Sequence, residues 1–418
     1  MLRSMFAAVS GLRAHQTMMD VVGNNIANVN TTGFKSSRAT FQEALNQTLR
    51  GASGTGPATA GTNAMQIGLG SQIASIDGVF TQGSTQMTGR TGDLAIQGEG
   101  FFVVGQGNER SYTRAGGFGF DESGYLATPG GARLQGWMAD QATGAINTNG
   151  AITAIQLPMG QTIAPKATDR VELLGNLPAD ASAGDAAATP PVPADVFNTS
   201  ITVYDSKGEP HDIAISMTKD AADNTWSFQP SVNGTDVGAA QTVTFNADGT
   251  LNGPGSFTLE GVDFGNGSAT DQDITIDLGG LVQFGGSATA EARSQTGSAM
   301  GFLRSFEFGA DGTVTGRFSN GQTKLLGMVA IATFNNPAGL VREGESLFTV
   351  SANSGEPIVG RPGAGDAGSL APGSLEMSNV DLAQEFTNLI IAQRGFQANS
   401  RGITASDELL QELVNLKR

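Results

Sequence analysis

The sequence predicts an α+β multidomain fold, with a terminal α-helical coiled-coil domain and two mainly-β domains of sandwich or barrel type. The outer β-domain is predicted to be inserted in the inner one. Apolar residues recur at heptad spacing at both ends of the 418-residue chain, which predicts the helices. Its 59 glycines and low charged content of 15% favour β-structure with many tight turns between them.

The N-terminal segment predicts one long amphipathic helix. Its apolar residues recur at helical spacing over about 25 residues, or roughly 40 Å of helix. The d positions of the heptad are all apolar, whereas the a positions weaken toward Gly23. The residues of this predicted assembly seam are Leu2, Met5, Val9, Leu12, Met19 and Ile26.

The C-terminal segment predicts a second helix with an unbroken heptad pattern. Ser378 or Asn379 is in position to cap it, and Gly395 and Gly402 leave room for a neighbouring helix. Its seam residues are Leu382, Phe386, Leu389, Phe396, Ile403 and Leu410. Two amphipathic helices of an ordinary globular core are the alternative. Pairing with each other or with copies is favoured because the chain has no further helical pattern to pack against them.

The middle of the chain is predicted to be β-structure. A hairpin pattern of Phe, three residues, Gly, one residue and Leu or Val begins at Phe120, Phe245 and Phe308. Polar, Gly-rich stretches on either side favour extended connectors. The predicted boundaries are 1–33 and 376–418 for the helical domain, 34–90 and 350–375 for the connectors, 91–150 and 291–349 for the inner β-domain, and 151–290 for the outer β-domain.

The residues give no sign of catalysis or of a cofactor. His15 and His211 fall in unrelated regions, and the absence of cysteine excludes thiol catalysis and Cys-based zinc sites. Asp271, Asp273 and Asp277 share one face of a predicted strand and could hold calcium. A solvated strand face is the favoured interpretation because no EF-hand-like loop accompanies them.

Negative charge is concentrated in the predicted outer domain. The chain has a formal net charge of −16, and residues 151–290 contain 17 acidic and 4 basic side chains. This distribution argues against nucleic-acid binding there. The N-terminus has no pattern of a cleaved secretory signal, and the most apolar run, 325–334, is too short for membrane insertion. Export would therefore use a route that leaves the leader uncleaved.

Two terminal motifs resemble those of the bacterial flagellar rod and hook axial proteins. The first is SGL at residues 10–12 with NNIANVNTTGFK at 24–35, and the second is SNVDL at 378–382 with AQRGFQANSR at 392–401. GDLAIQGEGFF at 92–102 is similar to the family's entry into its first β-domain. The signature residues are Asn24, Asn25, Asn28, Gly33, Phe34, Asn379, Asp381, Gln393, Arg394 and Asn399.

The resemblance implies a non-enzymatic structural subunit that lies outside the cell, in the flagellum and attached to the basal body. Within the family, the large insertion at 151–290 favours the hook branch over the shorter distal rod proteins. A hook subunit polymerises into a flexible curved tube that transmits motor torque as a universal joint. Its implied partners are further copies of itself, the distal rod, hook cap and hook–filament junction proteins, and the flagellar type III export apparatus.

The resemblance also implies how the ends behave. Paired terminal helices would pack side by side into an inner tube, and in a lone subunit they would be disordered until assembly. A distal rod protein is the nearest alternative. A β-rich adhesin or filament-cap subunit would not need matching amphipathic ends, and a surface polysaccharide hydrolase would need an acid–base pair that the sequence does not display.

Overall fold

The structure is a computed structural model that describes residues 2–415 except 56–59, 107–108, 141–142, 158–159, 161, 186 and 270. The chain forms two compact units. The first comprises Met1–Leu157, Phe306–Thr315 and Leu325–Arg418, and the second comprises Pro158–Ser305 and Gly316–Lys324. Both long helices belong to the first unit.

The elements are mostly β. Helix α1 spans Leu2–Ala27 and α2 spans Leu382–Asn415, and no described helix is long and apolar enough to cross a membrane. The strands up to residue 154 are β1 (Ser37–Glu43), β2 (Asn46–Arg50), β3 (Met65–Gly68), β4 (Ser71–Gly78), β5 (Thr85–Met87), β6 (Leu94–Gln97), β7 (Phe101–Gln106), β8 (Glu109–Thr113), β9 (Gly119–Phe120), β10 (Leu126–Ala127), β11 (Arg133–Met138) and β12 (Thr153–Ala154). Those of the middle are β13 (Thr162–Ile163), β14 (Arg170–Pro178), β15 (Val196–Tyr204), β16 (Pro210–Lys219), β17 (Thr225–Val232), β18 (Thr235–Asp236), β19 (Gln241–Phe245), β20 (Leu251–Asn252), β21 (Ser256–Val262), β22 (Gln272–Phe284) and β23 (Glu291–Gln295). The last are β24 (Gly301–Phe308), β25 (Thr313–Phe318), β26 (Thr323–Val329), β27 (Ile331–Thr333), β28 (Val341–Gly344), β29 (Leu347–Thr349), β30 (Ile358–Gly360), β31 (Ser369–Pro372) and β32 (Ser374–Glu376), with a 3-10 turn at Pro337–Gly339.

The repeated Phe–Gly pattern forms tight turns as predicted. Gly124, Gly249 and Gly312 have φ angles of 81°, 81° and 82°, which lie in the left-handed region that glycine adopts without strain. All three turns join directly paired strands, β9 to β10, β19 to β20 and β24 to β25. The pattern therefore fixes chain reversals in both units.

The N-terminal segment predicted as an extended connector is instead a long hairpin. Strand β1 pairs antiparallel with β4, and β2 pairs with β3. Backbone bonds from Leu69 to Leu45 and from Ala44 to Gly70 make the two ladders continuous. The C-terminal connector also contributes strands, because β31 pairs with β6 and β32 with β5. The alternation of apolar and polar residues did not predict this hairpin, because the hairpin is polar along much of its length. Thr40, for example, pairs with Ser75 through hydroxyls 2.7 Å apart.

The first unit has its core around an antiparallel set of short strands in the order β26-β11-β7-β8-β29-β28. Aromatic rings fill this core: Phe101 packs edge-on against Phe334 and Phe348, and Tyr112 packs edge-on against Phe334. Trp137 completes it and donates from its indole to the carbonyl of Gly150 at 2.9 Å.

The second unit is a β-sandwich. One sheet has the order β15-β16-β17-β19-β20 and the other β21-β22-β14-β23, in which β14 and β22 are parallel. A single apolar cluster lies between them, with Trp226 and Phe228 from the first sheet and Ile274 and Ile276 from the second, all fully buried. Alternation of buried and exposed residues along β16 and β17 produces this one-sided burial.

Candidate assembly site

Helices α1 and α2 pack antiparallel through small side chains. Gly11 faces Asn399, whereas His15, farther along α1, faces Gly395, which comes earlier in α2. The two helices therefore run in opposite directions. A Cβ on Gly395 would lie 2.4 Å from His15 Nε2, and a Cβ on Gly11 would lie 2.8 Å from Asn399 Nδ2. Glycine at these positions therefore makes room for the Asn399 and His15 side chains of the facing helix.

The predicted seam of large apolar residues is not the buried contact of this pair. Among the described side chains of the helices, the buried apolar ones are Ala14, Val22 and Ala392. The half-buried seam residues are Met5, Val9, Leu12, Met19, Ile26, Leu389, Phe396, Ile403 and Leu410. Leu382 and Phe386 are exposed at 40% and 50%, and the side chain of Leu2 lies outside the described residues. Because small residues bring the axes close, the larger ones flank the contact.

Further large apolar residues of the helices face solvent. They are Phe6, Ile390, Ile391 and Leu409, each at least half exposed. Soluble monomers rarely expose large contiguous apolar surfaces unless these bind something. These exposed apolar side chains make the helix pair a candidate surface for assembly.

A buried ion cluster ties both ends of the chain to the β-structure. Lys35 Nζ lies 2.6 Å from Glu376 Oε1, and Arg114 Nη1 lies 3.3 Å from Glu376 Oε2. The Lys35 and Glu376 side chains are fully buried. Lys35 also donates to the carbonyl of Thr81 at 2.8 Å, and Gly83 donates its N–H to Glu376 at 2.9 Å. We call Lys35, Arg114 and Glu376 the ion staple.

The ion staple joins residues that are far apart in sequence. Burial lowers the pKa of Lys35 below its usual value, an effect that the neighbouring carboxylate of Glu376 opposes. Gly33 reinforces the junction, because its N–H donates to the Glu376 carbonyl at 2.8 Å. Its φ of 68° and a distance of 2.4 Å from a Cβ there to Ala115 N exclude other residues without strain. The N-terminal motif identified Gly33 as a signature residue, but local sequence patterns did not predict that Lys35 would form a cluster with Arg114 and Glu376.

Two signature asparagines bridge backbone segments. Asn25 is fully buried; its amide donates to the Ser37 carbonyl at 2.8 Å and accepts from the Ser37 N–H at 2.9 Å. Asn379 accepts from Ser36 N–H at 2.8 Å and donates to the Val79 carbonyl at 2.8 Å. Each side chain thus holds a helix end on the β1–β4 hairpin.

The other signature residues either form hydrogen bonds within or at the ends of the helices or lie at the surface. Asp381, rather than Ser378 or Asn379, caps α2, with its Oδ1 accepting from Ala383 N–H at 2.8 Å. The reason is that Asn379 is already used as a bridge. Asn24 accepts from Asn28 near the end of α1, and Asn399 donates to the Gly395 carbonyl. Gln393 and Arg394 are exposed, and Phe34 is half-buried with Arg342 5.3 Å from its ring centroid.

The second unit contains one polar cluster of note. Asp205, Glu209 and His211 bring carboxylate and imidazole atoms within 4.8 Å of one another. Asn266 Nδ2 donates to both carboxylates at 2.6 Å. Burial would raise the pKa of Asp205, but hydrogen bonds from Asn266, from two backbone N–H groups and from His211 lower it to about 2.

The aspartates considered for calcium hold other partners. Asp277 forms an ion pair with Arg170 and accepts from the Gly279 N–H, while Asp273 accepts from the Gly261 N–H. Asp271 is exposed just before β22. Among the described residues these three are not grouped as potential metal ligands. The arrangement fits the solvated strand face better than a cation site.

Comparison with known proteins assigns this chain of paired terminal helices and β-rich body to the axial proteins of the flagellar rod and hook. Family models match along the chain. Residues 5–35 match the model described as flagella basal body rod protein, and residues 371–416 match flagellar basal body rod FlgEFG protein C-terminal. Between them, residues 95–168 match flagellar hook protein FlgE/F/G D1 domain, and residues 176–298 match flagellar basal body protein FlaE D2 domain.

Full-length relatives specify the member of this class. The chain is 39% identical to the flagellar hook protein FlgE of Borreliella burgdorferi and 38% identical to that of Treponema pallidum, each covering 100% of both chains. The chain belongs to the flagellar hook protein family. It is a structural subunit of the hook, which is attached to the flagellar basal body.

The rod alternative is the weaker one. The rod protein FlgG of Bacillus subtilis is 32% identical over the full length of both chains. This length also corrects the expectation that rod proteins are shorter. Among solved structures, the Helicobacter pylori flagellar hook protein FlgE2 aligns with a TM-score of 0.52 at 15% identity, covering 71% of this chain and 100% of that one. That likeness supports the mostly-β fold.

Proposed function

We propose that the chain polymerises through its terminal helices into a flexible curved tube that transmits motor torque to the filament as a universal joint. The observation that carries the proposal is the large apolar surface that the α1–α2 pair leaves exposed, including Phe6, Phe386 and Ile390. Covering it with other copies would remove apolar area from water at about 25 cal/mol per Å². A helix pair with a small-residue contact inside and large residues outside suits side-by-side packing.

Torque transmission requires that load on the helices reach the body of the subunit. The ion staple supplies such a path, because Lys35 follows α1, Glu376 precedes α2 and Arg114 lies in the β-structure of the first unit. Its charged hydrogen bonds are buried, and bonds of this kind are shorter and stronger than neutral ones. The staple would keep the helices and the β-structure in one orientation under load.

The second unit would be the outer domain, inserted in the inner one. The predicted boundaries of 151–290 lie close to the main segment of that unit, Pro158–Ser305. Its many acidic side chains would favour wet contacts that slide at small cost when the tube bends. The inner β-domain, 91–150 and 291–349, would connect it to the helices.

The partners would be further copies, the distal rod, hook cap and hook–filament junction proteins, and the flagellar type III export apparatus. The helical ends would fold on assembly, after passage of the unfolded chain.

The proposal is tested by negative-stain electron microscopy under polymerising conditions. Leu389→Asp with Phe396→Asp should abolish tubes, because both charges would fall on the helix surface that copies share. Phe284→Asp with Val196→Asp, on exposed apolar positions of the second unit, is the matched control and should still form tubes. Tubes of normal appearance from the helix variant would refute the proposal.

A further inference from the structure

The turn between β15 and β16 and the loop between β21 and β22 meet at a polar junction within the second unit. Asn266 on the loop donates through Nδ2 to Asp205 Oδ2 and to Glu209 Oε2 on the turn, each at 2.6 Å. Lys207 Nζ donates in return to the Asn266 carbonyl at 3.1 Å. Polar side chains therefore hold the loop on the turn.

Asp205 and His211, the first residue pair of this junction, are buried and fixed in orientation. The Oδ1 atom of Asp205 accepts from the Lys207 and Glu209 N–H groups, each at 2.8 Å. The His211 ring stacks on Phe264 with ring centroids 4.3 Å apart. Asp205 Oδ2 and His211 Nε2 consequently face one another at 3.4 Å. Surrounding contacts that fix the orientation of a carboxylate and an imidazole are typical of metal sites.

The atoms that converge at the junction have the chemistry and spacing of metal ligands. Asp205, Glu209 and His211 each bring one ligand atom to within 4.8 Å of the others. Two ligands bound tetrahedrally to zinc lie about 3.4 Å apart. Asp205 Oδ2 and His211 Nε2 already have this separation. The Glu209 side chain is exposed, so that rotation about its bonds can bring its carboxylate closer to them.

Two negative charges meet here without a cationic side chain between them. Among the described residues, neither Asp205 nor Glu209 forms an ion pair with lysine or arginine. Both carboxylates accept instead from one neutral amide, that of Asn266. Neighbouring carboxylates repel one another when both are ionised. A dication between them would remove that repulsion.

Two buried oxygen atoms beside the junction have no hydrogen-bond partner in the described part of the chain. They are Ser268 Oγ and Gln272 Oε1, of residues that are each 7% exposed. The Ser268 N–H donates to Asn266 Oδ1 at 2.9 Å, and Gln272 Nε2 donates at 3.1 Å to the carbonyl of Tyr204, which precedes Asp205. Buried polar atoms are ordinarily satisfied by protein, water or an ion. Water molecules bound to a metal ion would supply donors for both.

We propose that Asp205, Glu209 and His211 bind a divalent transition-metal ion of the zinc type. The Asn266 amide would rotate to offer its oxygen as a further ligand. Two carboxylates and an imidazole suit zinc, whereas calcium takes six to eight oxygen ligands. The ion would fasten the loop to the turn and stabilise the second unit by binding only its folded form. This inference goes beyond the proposed function and does not depend on polymerisation.

Calorimetric titration of the full chain with zinc chloride, after removal of metals by a chelator, tests the site. One ion should bind per chain, and Glu209→Gln should weaken the binding by at least about ten-fold. Glu260→Gln is the matched control, because both glutamates are exposed in the second unit, and it should bind zinc normally. Absence of saturable binding, or equal affinity in Glu209→Gln and the natural chain, would overturn the proposal.

Thermal unfolding in the presence of zinc gives an independent measure. In a Trp137→Phe background, zinc should raise the midpoint of the transition reported by Trp226, which lies in the core of the second unit. His211→Gln should abolish this shift, whereas His15→Gln should retain it, since the chain has two histidines. A shift of the same size in His211→Gln would place the ion elsewhere and contradict the assignment.

Discussion

The second unit buries its large apolar residues, whereas the terminal helices leave many of theirs exposed. The second unit encloses Trp226, Phe228 and the facing strands of the other sheet in one buried cluster. The helices bury small residues against each other and leave Phe386 and Ile390 half exposed or more. The difference teaches that one region can bury its apolar residues from its own sequence, whereas the other leaves them for the neighbouring copies of the proposed assembly.

Replacing one phenylalanine by alanine in each region should give the largest difference in the free energy of unfolding. Phe228→Ala should lower the free energy of unfolding of the second unit by about 3–5 kcal/mol, because it empties a fully buried site. Phe386→Ala should change monomer stability by less than about 0.5 kcal/mol yet weaken polymerisation. Urea unfolding of the second unit can be followed through Trp226 after Trp137→Phe, and that of the first unit through Trp137 after Trp226→Phe, since the chain has two tryptophans. Equal losses in the two monomers would contradict the distinction.

The ion staple should be the next largest effect. Glu376→Gln would leave Lys35 and Arg114 buried without their anion, which should cost about 3 kcal/mol in the first unit. Fluorescence of Trp137 during urea unfolding, in a Trp226→Phe background, reports on this unit. Glu99→Gln is the control, because Glu99 is exposed and 4.0 Å from Arg114. A loss no larger than in the control would mean that the staple contributes little.

Low pH should destabilise the second unit through a specific carboxylate, Asp205. Hydrogen bonds lower the pKa of Asp205 to about 2, below its ordinary value near 4, so that its ionised form stabilises the folded second unit. This contribution is present above about pH 4 and is lost as the pH falls toward 2, by roughly 2 kcal/mol. Asp205→Asn should flatten the fall in urea stability over that window. The same slope in the variant and the natural chain would exclude Asp205 as its source.

The smallest predicted effect concerns the start of α2. Asp381→Ala removes the side-chain acceptor for the Ala383 N–H and should destabilise the first turn by about 1 kcal/mol. The critical concentration for polymerisation should rise about five-fold. Glu408→Ala, exposed farther along the same helix, should have little effect. A larger change for Glu408→Ala than for Asp381→Ala would show that the cap is unimportant.

Hydrophobic periodicity predicted the two helices and the hairpin turns at Gly124 and Gly249, because these features are written locally in the sequence. The spacing of Gly395 and Gly402 indicated room for a neighbouring helix, and both face α1, but the pattern did not predict the role of Gly11 or that larger residues would flank the contact. It also missed the hairpin within 34–90, whose ladder is held by backbone bonds that any side chain permits.

The ion staple could not have been predicted from local patterns. Lys35 and Glu376 are 341 residues apart, and Arg114 and Glu376 are 262 apart. Charged residues are ordinarily expected on the surface, so their types alone predict solvent exposure. The resemblance indicated that the segment ending at Lys35 matters, and the structure adds what the side chain does there.

Hydrogen exchange of the monomer and the polymer would test the central claim most directly. The helices, residues 2–27 and 382–415, should exchange rapidly in the monomer and become protected in tubes, because copies complete their packing. The amides of β16, β17 and β22 should be protected equally in both states. Helices already protected to the level of the sandwich in the monomer would contradict the claim that neighbouring copies complete them.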